Sequence, residues 1–184
     1  LSDPSVNVIV GDAFIEIDKL LDGGQSYDAI IVDLPDPSHP DLNKLYSDHF
    51  YARLRLLLSG DGVMAVQSTS PFHAKKAFLS VGKTIRSAGF SSVEQYHQNI
   101  PSFGEWGWTI ASKMGKSPSE RLKALPSKLP VDDSWVTKGL MLAAFQFSAL
   151  FFSELSEVEV NTLGSHQLYH YHHEAWSEKE GAID

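Results

Sequence analysis

Cysteine is absent from the 184 residues. That excludes a disulfide framework and thiolate chemistry, and it agrees with a reducing compartment. An excess of positive charge is also missing: 15 Lys and Arg stand against 23 Asp and Glu, for a formal net charge of −8. This balance argues against nucleic acid and anionic membrane as partners and is compatible with cationic substrates, although solubility is a plainer use of the same charge. No signal-peptide pattern and no apolar run of about 18 residues occurs. The longest apolar stretch, GLMLAAFQFSALFF (139–152), is interrupted by Gln146 and Ser148. No G-x-S-x-G elbow, phosphate loop or H-E-x-x-H motif is found.

What is present alternates. Val6–Val10 reads as a short β-rich strand. Phe14, Ile17, Leu20 and Leu21 fall at helical spacing, and Gly23-Gly24 stops that helix. Tyr27–Val32 is a continuous apolar run of the kind buried on both faces of a parallel sheet. Ser47 or Asp48 caps a helix predicted to end near Leu58. GDGVMAVQ is a turn and a strand ending at Gln67. SPFHAKKAFLSVGKTIRSAGF is an amphipathic helix with Gly89 as its stop. Ser91–Gln98 and Trp106–Ser112 read as two strands joined by NIPSFGE. Strands alternating with helices predict an α/β sheet with right-handed crossovers, and the final strand pair makes it a mixed sheet. Residues 114–137 shift to Lys, Ser, Pro and Asp and read as a linker or surface excursion. Lys138–Phe152 is predicted as a helix. The closing VEVNTLGSHQLYHYHHEAW is predicted as extended or mixed structure.

Ligands of open α/β sheets bind beyond the carboxyl ends of the strands. Three predicted strands end in, or are closely followed by, a usable polar residue: Asp12, Asp33 and Gln67. The sharpest feature is YDAIIVDLPDPSHP (27–40), where an apolar strand runs into Asp33 and Asp36. Pro35 and Pro37 restrict the loop and hold the two carboxylates in place. Such a pair suits a cationic ligand or a proton taken from an amine; it also fits a solvated acidic turn. Asp12 serves equally as a helix N-cap or as an acceptor for an adenine amine, with the next backbone N–H, that of Ala13, on a ring nitrogen. Gln67 is either a ligand contact or an ordinary polar strand end. In IPSFGEWGW, Phe103, Glu105 and Trp106 can wrap an alkyl ammonium chain, while Trp108 reads as structural. In YHYHH (169–173), His170 and His172 would share one face of a strand. With no cysteine and no second cluster, these histidines read as surface residues rather than a metal site.

Taken in order, DPSVNVIVGDAF, YDAIIVDLPDPSHP, LYSDHFY, GDGVMAVQSTSPF and IPSFGEWGWTIASK resemble the spermidine synthase family of polyamine aminopropyltransferases over about residues 3–113. PSFGEWGW and the tail look most like larger bacterial members in which this domain follows a membrane-spanning region. The resemblance implies a methyltransferase-like Rossmann fold and aminopropyl transfer from decarboxylated S-adenosylmethionine, a co-substrate, to putrescine or a related polyamine, releasing 5′-methylthioadenosine. No permanently bound cofactor and no metal are implied. It makes Asp33 the base that deprotonates the attacking amine and puts Asp36 on the polyamine. Asp12 and Ala13 are assigned to the adenine, and Gln67 to the amine site. Phe103 stands where many members carry Tyr, so a hydroxyl contact is lost.

By the same resemblance the chain opens at what would be the third strand of the fold, with no initiator Met. It is expected to be a partial methyltransferase-like Rossmann fold lacking the first two strands, and inactive alone. Residues 1–113 would be the C-terminal part of the catalytic domain, 114–137 a linker or excursion, and 138–184 a helix and tail packed on it. Exposed sheet edges favour a homodimer or rearranged pairing. The expected location is cytoplasmic, and the resemblance to the larger members also allows a parent anchored at the inner membrane. Two rival functions fit the same residues: an S-adenosylmethionine-dependent methyltransferase, and a non-catalytic polyamine-binding module.

Overall fold

The computed structural model describes residues 3–129 and 135–180. Parts of the expected linker (130–134) and tail (181–184) lie outside the described residues.

Asp12 caps α1 (Ala13–Asp22), its carboxylate accepting from the Phe14 N–H at 3.0 Å. α1 turns Ile17 into the core and lays Phe14 parallel to Phe50 of α2 (Asp48–Leu57). Of the two candidate caps of α2 it is Ser47 that serves, accepting from the Phe50 N–H at 3.2 Å. Between β1 (Tyr27–Val32) and α2, a 3₁₀ turn spans Pro40–Tyr46.

β1 runs parallel to β2 (Leu58–Gln67), with Ile31 opposite Ala65 and Val32 opposite Val66. β3 (Ser92–Ile100) and β4 (Gly104–Ser112) form an antiparallel hairpin that turns at Gly104, whose φ of 75° suits glycine. β4 inserts between β2 and β3, giving the order β1-β2-β4-β3, a mixed four-stranded sheet as expected.

The pleat sorts the strands into two faces. Val32, Met64, Val66, Val93 and Ala111 point into the core, where α2 contributes Phe50, Leu54 and Leu57 and α3 (Lys75–Ser87) contributes Phe78, Val81 and Ile85. Gln95 on this face donates to the Phe78 carbonyl at 2.7 Å. The opposite face carries Ile31, Ala65, Gln67, Trp106, Trp108, Ile110 and Tyr96, in register across the strands. Helices α4 (Pro118–Ala124) and α5 (Lys138–Ala143) flank only its β3–β4 end, around a cavity of about 520 Å³. α4 lies within the stretch expected as a linker and is closed by a Ser117/Glu120 capping box.

Four local expectations are corrected. Residues 6–10 form no strand: they have no ladder partner among the described residues and are exposed, Val10 to 95%. A strand exists only through its neighbour's hydrogen bonds. β1 is not buried on both faces, since it lies at the sheet edge and Ile31 is 81% exposed. The helix predicted over 138–152 ends at Ala143. There His97 of β3 takes the Ala144 carbonyl with its N–H and the Gln146 carbonyl with its ring. A 3₁₀ turn follows at Phe151–Ser156, and Phe147 and Phe151 pack against Phe78. Finally, the tail is not extended: α6 (Gln167–Glu180) is helical and packs on α3 and the Pro40–Tyr46 turn. Asn161 fastens it. Its side chain donates to the carbonyls of Tyr46 (3.2 Å) and Asn43 (3.4 Å) and accepts from the Leu168 N–H at 3.1 Å.

Candidate active site

The site forms where β1 and β2 end side by side. Their parallel register puts the loop after Val32 next to Gln67, so two residues far apart in sequence meet at one sheet edge. Leu34 to His39 then turns back. Tyr46, buried in the core, donates its hydroxyl to the Pro35 carbonyl at 2.6 Å and fixes the loop from beneath. Burial, and then the negative charges of Asp36 and Asp33, push the Tyr46 phenol far above its ordinary value, so it remains a donor.

Asp36 is the best-held group in the loop. One carboxylate oxygen accepts from Gln67 Nε2 at 2.7 Å. The other accepts from Thr69 Oγ1 at 3.2 Å and lies 3.2 Å from His172 Nε2. Burial pushes this carboxyl up, but the His172 and Gln67 contacts outweigh it and hold Asp36 below its ordinary value, ionised at neutral pH.

Asp33, exposed at the end of β1, borders a cavity of about 400 Å³ with Gln67, Ile31, Tyr96, Phe103, Trp106 and Trp108. Phe103 is exposed, its ring 5.2 Å from that of Trp106. A carboxylate at the rim of an aromatic-walled cleft suits an organic cation, through charge and cation–π attraction.

The other expected residues separate from this cluster. Glu105 alternates with Trp106 along β4 and so points to the opposite sheet face, where it binds His97 Nδ1 at 2.8 Å. It does not line the cavity. Asp12 caps α1 and pairs with Lys44 at 2.5 Å, and Ala13 opens the helix; neither borders the Asp33 cavity. Lys44, first among its partners, and the Phe14 N–H hold the exposed Asp12 carboxyl below its usual value. The Asp12 cap role is therefore realised, and the loop following the site supplies its cation.

The tail supplies what sequence reasoning missed. His172 is buried, not a surface residue, and it faces Asp36 from α6, where Trp176 one turn on places its indole Nε1 3.0 Å from His172 Nε2. Thr69 was also unmarked. It is buried with φ of 62°, rare for a β-branched residue. Among the described residues no group of three or more His, Cys, Asp or Glu could hold a metal ion, and no helix is long and apolar enough to cross a membrane.

Comparison with known proteins gives the family and the fold. The family model for the spermine/spermidine synthase domain matches residues 1–123. The polyamine aminopropyltransferase of Shewanella oneidensis is 59% identical over 180 residues, covering 98% of this chain and 31% of its own length. Polyamine aminopropyltransferase 1 of Streptomyces coelicolor is 43% identical over 138 residues, covering 75% and 25%. Spermidine synthase from Thermotoga maritima shares the fold with a TM-score of 0.65, at 22% identity, over 85% of this chain and 52% of that one. A spermidine synthase in complex with the transition-state analogue AdoDATO gives 0.64, at 21% identity, over 85% and 51%. The chain spans about a third or less of the length of these two curated relatives. On the extent of the family match and the identity to the Shewanella protein, this chain belongs to the spermine/spermidine synthase domain family.

Proposed function

We propose that the full-length protein carrying this chain transfers an aminopropyl group from decarboxylated S-adenosylmethionine to putrescine or a related polyamine, releasing 5′-methylthioadenosine. The observation that carries the reading is the ionised Asp36, held by Gln67 and Thr69 beside the aromatic cavity that Asp33 borders. Relatives named polyamine aminopropyltransferase, and a fold shared with a spermidine synthase that binds AdoDATO, support it.

An ammonium has no lone pair with which to attack. In this reading Asp33 accepts the proton as the amine nitrogen approaches the carbon next to the sulfonium. The new C–N bond forms as the C–S bond breaks, and the C–S electron pair returns to sulfur, leaving the neutral thioether of 5′-methylthioadenosine. Asp36 and Gln67 hold the cationic substrate, and Phe103 and Trp106 wall its alkyl chain. Asp12 and Ala13 are proposed to face the adenine, which requires Asp12 to share its carboxylate with Lys44. The electrophile is already activated by its positive sulfur, so much of the acceleration is alignment for in-line displacement. The nucleotide is a co-substrate, and no cofactor or metal is held permanently.

Residues 1–113 are proposed as the C-terminal part of the catalytic domain, with the segment from 138 packed on it and 114–137 as a surface excursion between them. A homodimer is proposed, resting on the open sheet edge of this chain at β1. A cytoplasmic location, on a parent with a membrane-spanning N-terminal region, rests on the resemblance to larger bacterial members.

The test is incubation of the full-length protein with decarboxylated S-adenosylmethionine and a panel of diamines, followed by mass spectrometry. Amine-dependent release of methylthioadenosine, lost in Asp33→Asn, is expected. Release of S-adenosylhomocysteine from S-adenosylmethionine instead would replace the reading with methyl transfer. Amine binding without turnover would replace it with a binding module.

A further inference from the structure

Two cavities adjoin on the sheet face opposite the core. The first, of about 400 Å³, is the proposed amine site that Asp33 borders. The second, of about 520 Å³, lies between α4, α5 and the β3–β4 end of the sheet. Tyr96, Ile100 and Trp108 line both, so these side chains form the boundary between them. The ladder explains the order. Asp33 follows β1, Gln67 ends the neighbouring β2, Trp108 of β4 stands opposite Gln67, and Tyr96 of β3 stands opposite Trp108. Trp108 is therefore two strand spacings from β1, about 10 Å, with Tyr96 one spacing beyond.

The boundary is flat and held from behind. The Tyr96 and Trp108 rings stack at 5.5 Å with 16° between their planes. Phe145, which lines only the second cavity, packs on Tyr96 with ring centroids 5.5 Å apart. The turn that carries Phe145 is tied to β3, where the His97 N–H donates to the Ala144 carbonyl at 3.0 Å. Burial pushes the Tyr96 phenol up, so the wall is uncharged at neutral pH. The two sides differ in chemistry. On the near side Asp33 and Gln67 can meet a cation. On the far side, among the described residues, no charged side chain lines the cavity; Ile110, Leu122 and Leu140 do, with the Gln98 amide.

We propose that Trp108, stacked on Tyr96, is a specificity-determining residue: it ends the amine site and sets the length of acceptor that the site takes. The inference rests on the reading of the Asp33 cavity as the amine site. Hairpin packing accounts for a stacked pair, but not for a pair with an open cavity on each side. A diamine that stops at the wall keeps its far ammonium on the side of Asp33 and Gln67. An amine that passes the wall leaves its far end in the apolar chamber. A methylene gains there, by about fourfold in affinity for each one buried. An ammonium loses its water and meets no carboxylate, a loss that ring faces offset only in part. Opening the wall therefore admits uncharged tails and not charged ones.

The experiment measures binding of two amine series to the full-length protein by calorimetry. One series is the n-alkylamines from butylamine to decylamine; the other is the α,ω-diamines of the same lengths. In the wild type, alkylamine affinity is expected to stop rising once the chain reaches the wall. In Trp108→Ala it is expected to keep rising past that length, by about three- to fourfold per methylene, while diamines of the same length gain little. Trp108→Phe, which keeps a ring on Tyr96, is expected to retain the wild-type cut-off. Tyr96→Ala opens the same wall from β3 and repeats the test if Trp108→Ala does not fold. A damaged fold lowers all amines together, so the ratio of octylamine to putrescine affinity separates an opened wall from lost structure.

A cut-off at the wild-type length in both alanine variants overturns the inference, and so do equal gains by the two series. A wild-type alkylamine series that rises unbroken to decylamine overturns it with no variant at all. The reading on which it rests fails separately. Amine binding with the expected cut-off but no release of methylthioadenosine under turnover conditions would leave the wall standing and remove the transferase. No amine binding to the wild type would remove both.

Discussion

Gln67 Nε2 donates to Asp36 Oδ1 at 2.7 Å, tying the last residue of β2 to the loop that leaves β1. The contact spans two strand ends, so it holds only while the parallel β1–β2 register holds. A hydrogen bond to a charged group contributes about 1.5–3 kcal/mol, and each 1.4 kcal/mol is about tenfold in affinity. Replacing Gln67 with Leu is expected to raise the putrescine KM about ten- to hundredfold in the full-length protein, with a smaller effect on kcat. Steady-state kinetics check this, and an unchanged KM would show that Gln67 is only a strand end.

Asp36 also makes a stability prediction with a definite sign. Its folded pKa lies below the ordinary 3.8, because the His172 and Gln67 contacts outweigh burial. A depressed carboxyl contributes stability that is fully present above the unfolded pKa and is lost as pH falls through the folded one. The melting-temperature advantage of wild type over Asp36→Asn is therefore expected to be steady from pH 7 to about 5 and to shrink below 3.8. Thermal melts across that range measure it. A gap that widens on acidification would contradict the ionised, hydrogen-bonded carboxylate.

The carboxyl end of the sheet was legible because its signals are local. An apolar strand running into Asp33, with Pro35 and Pro37 after it, describes a rigid acidic loop, and the Gln67 strand end was equally plain. Glu105 was placed on the wrong side although the period of two along Glu105–Trp106–Gly107–Trp108 already assigns it to the face away from the tryptophans. The Val6–Val10 strand failed because pairing is not a property of one segment. α6 was missed for a different reason. Its residues carry histidines and aromatics on most sides, so no amphipathic stripe marks it as a helix. What fixes it is the long-range grip of Asn161 on the 3₁₀ turn.

Asn161 is itself testable. It is fully buried and bonds the Tyr46 and Asn43 carbonyls on one side and the Leu168 N–H on the other. Truncation leaves these groups unpaired, and each buried orphan costs about 1–3 kcal/mol. Asn161→Ala is expected to lower stability by about 2–4 kcal/mol. Because α6 carries His172, which contacts Asp36, the same variant is expected to raise the putrescine KM. Denaturant melts and steady-state kinetics read the two effects independently. A stable variant would mean that α6 docks without this residue.

Thr69 sits at φ 62°, where a β-branched residue is strained by about 1–3 kcal/mol. Its surroundings impose the conformation. The Thr69 carbonyl accepts from the Gly107 N–H at 2.9 Å, and the Gly107 carbonyl accepts from the Ser68 N–H at 2.9 Å. Gly107 permits this close approach only because it lacks a side chain: a Cβ there would lie 2.4 Å from the Phe78 ring and 2.9 Å from the Thr69 carbonyl. The bend aims Thr69 Oγ1 at Asp36. Thr69→Gly relieves the strain but loses the hydroxyl bond, worth about 1 kcal/mol, and adds chain entropy of about 0.5–1 kcal/mol to the unfolded state. Its stability is expected to stay within about 1 kcal/mol of wild type while the putrescine KM rises. Thr69→Val keeps the strain and loses the bond, so it is expected to be the less stable of the two. Melts of both variants decide the matter. If Val equals or exceeds Gly, the left-handed backbone carries no cost, and Thr69 is held by packing rather than bent to serve Asp36.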